Sequence, residues 1–151
     1  MKNNTIILVV IALVIILGGA AIWQYQSKTT VTTADGVVWI NSSDNDIKFD
    51  LLQPKNTVLA KFTVTGEARG PWFFEASFPV EVLDKDGNRL AMEPATADGE
   101  WMTEEFVRFS VTLDVGTYAG PATVVFHKQN ASGEAERDAS VSYPIEIFAT
   151  N

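Results

Sequence analysis

From residue 47 onward, apolar and polar side chains alternate in one short run after another. Phe74, Ala76, Phe78, Val80 and Val82 face one way, with Phe73, Glu75, Ser77, Pro79 and Glu81 opposite. Val107, Phe109, Val111 and Leu113 alternate with Arg108, Ser110, Thr112 and Asp114, and Ala122, Val124 and Phe126 with Thr123, Val125 and His127. Val58, Ala60, Phe62 and Val64 share a face, as do Val141, Tyr143, Ile145 and Ile147. A period of two is that of pleated strands half-buried on one side; no segment here carries the 3.6-residue period of a helix. Thr65-Gly66, Arg69-Gly70-Pro71, Asp84 through Asn88, Ala97-Asp98-Gly99, Ala119-Gly120-Pro121 and Ser132-Gly133 punctuate the runs with turn-forming residues. About seven strands in roughly 105 residues, each with one apolar face, predict two sheets packed face to face. Pro79 and Pro144 lack a ladder donor, which assigns them to edges, bulges or outward-facing nitrogens.

The chain has no cysteine. Disulfides, thiolate chemistry and thiol-ligated zinc are therefore excluded, and the core alone must hold the sheets together. Nine Phe and four Trp in a 46% hydrophobic composition make that feasible. The expected fold is all-β, an immunoglobulin-like β-sandwich without the cysteine pair of antibody domains. A formal charge of −8 leaves no basic stripe for nucleic acid and argues against docking on anionic lipid.

Residues 1–5 are polar with one cation, Lys2, and residues 6–23 form an unbroken apolar run ending in Trp23, with Tyr25 and Lys28 beyond. Its length borders the roughly 20 residues that span a bilayer, and the closing aromatics suit a membrane interface. Gly19-Ala20-Ala21 also fits a signal-peptide cleavage site. The expectation is one N-terminal transmembrane anchor with a cytoplasmic tip, or a cleaved signal; either reading places the remainder outside the cytoplasm. Residues 24–46 read as a polar linker, interrupted by Val37, Val38, Trp39 and Ile40, which form either a short added strand or an apolar patch. The domain proper is then 47–151.

Residues 66–80, from Gly66 through Gly70-Pro71-Trp72-Phe73-Phe74-Glu75 to Pro79-Val80, are followed by Asp86-Gly87 and by Gly99-Glu100-Trp101-Met102-Thr103-Glu104-Glu105-Phe106. This combination resembles the bacterial spore germination immunoglobulin-like domain, from about Ile47 to Phe148. The resemblance implies a non-enzymatic extracytoplasmic interaction module, in spore proteins and in envelope proteins unrelated to spores.

Candidate binding residues are Trp72, Phe73, Glu75, Trp101, Glu104 and Glu105. Trp72 and Trp101 each follow a turn, where a ring serves as an exposed platform or caps the core. Phe73 falls on the polar face beside Glu75, which predicts exposure. The expected partner is an envelope protein; the alternative is a glycan or cell-wall polymer stacked on the tryptophans. A carboxylate hydrolase would need Glu75 and Glu104 or Glu105 facing each other across a cleft. His127 has no second His or Cys for a zinc site or triad and reads as a surface strand residue. Asp84-Lys85-Asp86-Gly87-Asn88 opens like a calcium loop, but Ala95 stands where the bidentate Glu is required, so a hairpin turn explains it better. No catalytic residue, metal ligand or cofactor is expected.

Overall fold

A computed structural model describes residues 28–50 and 52–148 of the chain. Their regular structure is ten strands and two single-turn 3-10 helices. The strands are β1 (Thr30–Thr32), β2 (Val38–Ile40), β3 (Ile47–Phe49), β4 (Asn56–Leu59), β5 (Lys61–Arg69), β6 (Ser77–Asp84), β7 (Arg89–Ala97), β8 (Phe106–Asp114), β9 (Gly120–His127) and β10 (Ser140–Phe148). The excess over seven comes from strands of three or four residues near the N-terminus, too short to show a period.

Hydrogen bonding links the strands in one path, β1-β2-β10-β9-β6-β7-β8-β5-β3, with β4 running parallel to β10. The path folds over at β7. Most of this strand pairs with β6, while Thr96 and Ala97 at its end also pair with Ser110 and Phe109 of β8. The inner faces of β6, β9 and β10 thereby meet those of β3, β5 and β8. Phe109 of β8 lies 5.0 Å from Phe78 of β6 and 6.4 Å from Phe126 of β9, ring centre to ring centre, and Phe49 of β3 lies 4.5 Å from Phe126. Phe78, Phe109 and Phe126 are almost wholly buried. Each fully buried Phe contributes about 1.5–3 kcal/mol. Gly66 on β5 makes room for this packing, since a Cβ there would stand 2.9 Å from the Phe109 ring and 2.1 Å from the Lys48 carbonyl oxygen.

The outer face of β5 and β8 is polar. Thr63 and Thr112 share a hydroxyl hydrogen bond of 2.9 Å, and Arg108 reaches Asp50 at 2.6 Å and Glu67 at 3.6 Å. Phe106, also on this face, has the Lys48 ammonium 4.2 Å and the Arg69 guanidinium 4.1 Å from its ring centre.

Three expectations need correction. The stretch read as a polar linker is built into the sheet from Thr30: β1 and β2 form an antiparallel hairpin, and β2, at the place of the short added strand expected within 37–40, pairs with β10. Ala34 and Asp35 turn the hairpin, closed by the Gly36 amide on the Thr33 carbonyl at 3.0 Å, with Gly36 at φ +85. Next, the run through Val58, Ala60, Phe62 and Val64 is two strands in different layers, because the chain crosses at Ala60 from β4 beside β10 to β5 beside β8. Lastly, the run expected from Phe73 to Val82 is regular strand only from Ser77. Among the described residues no helix is long and apolar enough to cross a membrane; the run 6–23 and the cytoplasmic tip lie outside them.

Trp39 of β2 packs edge-on against Tyr143 of β10 at 6.4 Å and is half-buried. Trp39→Ala is expected to cost about 2 kcal/mol in urea unfolding, below the ~3–5 kcal/mol of a fully buried aromatic. A free linker would show no change.

Candidate functional site

The end of the sandwich that gathers the β5–β6, β7–β8 and β9–β10 connections carries a groove. One wall begins where β5 ends. Arg69-Gly70-Pro71 cannot extend the strand, because Pro71 has no amide to donate, and Gly70–Trp72 winds into a 3-10 turn closed by the Phe73 amide on the Gly70 carbonyl at 3.0 Å. The Gly70 amide donates to the Glu105 carbonyl at 3.1 Å. The backbones approach so closely that a Cβ on Gly70 would fall 1.7 Å from the Thr103 oxygen. Only glycine allows the turn and the 101–105 loop to meet.

The chain then makes a tight turn from Phe74 to Ser77. These two residues exchange backbone hydrogen bonds of 3.0 and 3.2 Å, and Glu75 and Ala76 between them have φ +52 and +61. That is a type I′ arrangement made without the usual Asn or Gly, at a cost of about 1 kcal/mol or more per residue. It also inverts the expected facing. Phe73 turns inward, 4% exposed and 5.1 Å from Phe78, while Phe74 is 45% exposed. The expectation that Phe73 stands exposed on a polar face is therefore wrong, because residues 73–76 are not strand and the alternation does not apply to them. Trp72 is 2% exposed and 5.7 Å from Phe78, so its ring caps the core.

The second wall is the loop between β7 and β8. The Glu100 carboxylate accepts the Met102 amide at 2.8 Å, Thr103 donates to the Trp101 carbonyl at 2.8 Å, and Arg69 donates through Nη1 to the Glu104 carbonyl at 3.2 Å. Between the walls lies a groove of about 340 Å³, with Gly70, Pro71 and Phe73 on one side and Trp101, Met102, Thr103 and Glu104 on the other. Met102 is 73% exposed.

Of the residues singled out from the sequence, the groove brings together Phe73, Trp101 and Glu104. Glu105 sits behind it, 4.0 Å from Arg69. Trp72 is sealed beneath, and Glu75 points from its turn without lining the groove. With Glu104 as the only lining acid, no pair of carboxylates spans it. Met102 and Pro71 escaped sequence reasoning; the available signal was an apolar Met inside an otherwise polar Thr-Glu-Glu loop.

His127 belongs to a different cluster, on the outer face of β6 and β9. Its Nε2 lies 2.8 Å from Glu81, which also accepts from Arg89 at 2.9 Å. Burial pushes the Glu81 carboxyl up, but the hydrogen bonds from His127 and Arg89 outweigh it and hold the group below the usual range. In the β6–β7 turn, Asp84 accepts from the Asn88 side chain at 2.9 Å and from the backbone amides of Asn88 and Asp86 at 2.8 Å each, with Gly87 at φ +83. Both Asp84 oxygens are thus engaged in closing the hairpin. Among the described residues, no group of three or more His, Asp or Glu side chains is placed to hold a metal ion.

Gly70→Ala is expected to lose about 2–3 kcal/mol in chemical denaturation, because the new methyl forces the 101–105 loop away. Trp72→Ala should cost about 3–5 kcal/mol, and Met102→Gln less than about 0.5 kcal/mol. Equal losses at the two positions would contradict the assignment of one to the core and the other to the surface. An unfolded Glu titrates near 4.3, and Glu81 titrates lower when folded. Its stabilisation is therefore complete above that value and disappears as pH falls through the folded one. Glu81→Gln should be less stable than the parent at neutral pH, with the gap in Tm closing as pH falls below the unfolded carboxyl's range. A pH-independent gap would contradict the role given to this carboxylate.

No curated protein matches the chain. A family match spans residues 49–135, from the end of β3 through β9; it includes both groove walls and leaves out the β1–β2 hairpin and β10, which the structure places in the same sheet. That match covers more than half of the chain, and with the all-β immunoglobulin-like fold it establishes that the chain belongs to the family of immunoglobulin-like domains of bacterial spore germination.

Proposed function

We propose that this chain is a membrane-anchored, non-catalytic interaction module that displays its domain outside the cytoplasm and docks an envelope protein in the groove at one end of its sandwich. The family is a non-enzymatic type of domain. The carrying observation is the groove itself, where an apolar floor formed by Pro71, Phe73 and Trp101 is flanked by a Met102 side chain standing 73% in solvent. A large exposed Met beside the half-buried Trp101 and the exposed Pro71 suits a protein contact, in which a few apolar anchors carry most of the binding energy. The glycan reading is weakened, because Trp72 presents no ring face to stack on. The hydrolase reading lacks its second carboxylate in the groove.

The entry of the chain into the fold supports the same reading. Lys28 pairs with Asp138 at 3.1 Å, and Thr29 and Asn41 exchange hydrogen bonds of 2.8 and 2.9 Å. Asn41 holds the Asp138 carbonyl at 2.8 Å, and the Gln129 amide donates to the Trp72 carbonyl at 3.0 Å. Residue 28 therefore enters at the groove end of the sandwich. With residues 6–23 as the anchor, residues 24–27 span at most roughly 14 Å, and the groove end lies toward the bilayer. A protein in or on that membrane is the partner this placement favours.

The test is a photo-cross-linking amino acid placed at Met102 in cells, with Thr112 on the polar face as control. An ultraviolet-dependent protein adduct at position 102 alone is expected. Equal adducts at both positions would contradict the groove. Absence of adducts, together with sedimentation on cell-wall sacculi lost on Trp101→Ala, would favour the glycan reading instead.

A further inference from the structure

We infer that the occupant of the groove is a cationic peptide segment that inserts an apolar side chain between basic ones. This rests on the groove being the docking site and adds the chemistry of what docks there. The 98–105 loop carries Asp98, Glu100, Glu104 and Glu105 and no basic residue, and no base lines the groove. Among the described residues, only Glu105 of these four meets a cation, at 4.0 Å from Arg69. That guanidinium is already engaged, through Nε with the Asn45 carbonyl at 3.1 Å, through Nη1 with the Glu104 carbonyl at 3.2 Å, and over the Phe106 ring. Elsewhere at this end Lys28 pairs with Asp138 and Arg137 with Glu134 at 2.7 Å, while Glu75, Glu136 and Lys128 stand singly among the described residues. The densest run of carboxylates without ion pairs at this end therefore lies along one rim of an otherwise apolar groove.

Such a rim attracts Lys or Arg from a distance and repels acidic segments, phosphorylated segments and anionic lipid headgroups. The floor then retains a Leu, Met or aromatic side chain against Trp101, Met102 and Pro71, where burial supplies the residence time. A cationic segment without an apolar anchor would leave Met102 in water. A neutral apolar segment would leave the Glu100 and Glu104 charges facing a drier surface without a partner.

The test is selection of a random 12-residue peptide library on the full-length chain in non-ionic detergent, with counter-selection on the Met102→Glu variant. Peptides that prefer the parent should be enriched in Lys and Arg around Leu, Met or an aromatic. Their affinity should fall about ten-fold between roughly 50 and 300 mM salt. It should also fall about three- to ten-fold on the Glu100→Gln, Glu104→Gln double variant, in which the carboxamide introduced at position 100 keeps an acceptor for the Met102 amide. Met102-dependent peptides that are neutral or acidic and insensitive to salt would overturn the cationic occupant while leaving the groove in place. A selection that yields no Met102-dependent peptide would overturn both.

Discussion

Ring-to-ring contact among Phe49, Phe78, Phe109 and Phe126 is the interaction on which the rest of the molecule depends. These side chains come from β3, β6, β8 and β9; the Phe49–Phe126, Phe78–Phe109 and Phe109–Phe126 contacts cross between the layers, and Phe49–Phe109 at 6.2 Å ties β3 to β8 within one. No cysteine is present to share the task. Phe78 occupies the hinge position between fold and site, because it also receives Trp72 and Phe73, at 5.7 and 5.1 Å. Whatever fixes Phe78 in the core therefore fixes the wall of the groove. The site is an extension of the core to the surface, built on packed rings and a glycine contact.

Two features that cost free energy shape that wall. Glu75 and Ala76 hold left-handed backbone conformations that L-residues disfavour, and Gly70 gives up side-chain contacts so that two loops can touch. The first turns Phe73 inward and leaves Phe74 exposed; the second brings Trp101 and Met102 beside Pro71. The apolar area left in solvent by these arrangements contrasts with the Thr-, Ser- and Arg-rich outer face of β5 and β8, which is already satisfied by its own hydrogen bonds and ion pairs. One end of the sandwich is thus left with unmet apolar surface and unmatched charge, and the opposite character prevails on the polar face.

The sequence was legible wherever a run stayed a single strand with one buried face. Val107, Phe109, Val111 and Leu113 are all buried, as are Ala122, Val124 and Phe126, and the fold class follows from such runs. Legibility failed where the backbone changed direction without a turn-forming residue. Nothing in Val58 to Val64 marks the crossing at Ala60, and Glu75-Ala76 carries no turn propensity, so the facing of Phe73 and Phe74 came out reversed. In the β1–β2 hairpin, β2 was legible as the apolar run Val37 to Ile40, whereas the three-residue, mostly polar β1 was too short to show alternation; β2 joins the pair to the sheet through β10. Half of the groove was visible as Trp101 and Glu104 in a Gly-x-Trp-Met-Thr-Glu corner. The part supplied by Pro71 and Met102 was not, because it depends on which distant loops come together.

Methionine oxidation tests the docking of a protein in the groove most directly. The chain has two exposed methionines among its described residues, Met102 in the groove at 73% and Met92 on β7 at 46%. Each serves as a reporter of local solvent access to a small oxidant. The ratio of their sulfoxide formation rates, measured by mass spectrometry in the intact native envelope and again on the purified chain, removes differences in oxidant dose. An occupied groove predicts that Met102 slows several-fold relative to Met92 in the envelope and recovers on purification. An unchanged ratio, or protection that falls on Met92 instead, would contradict the groove as the docking site.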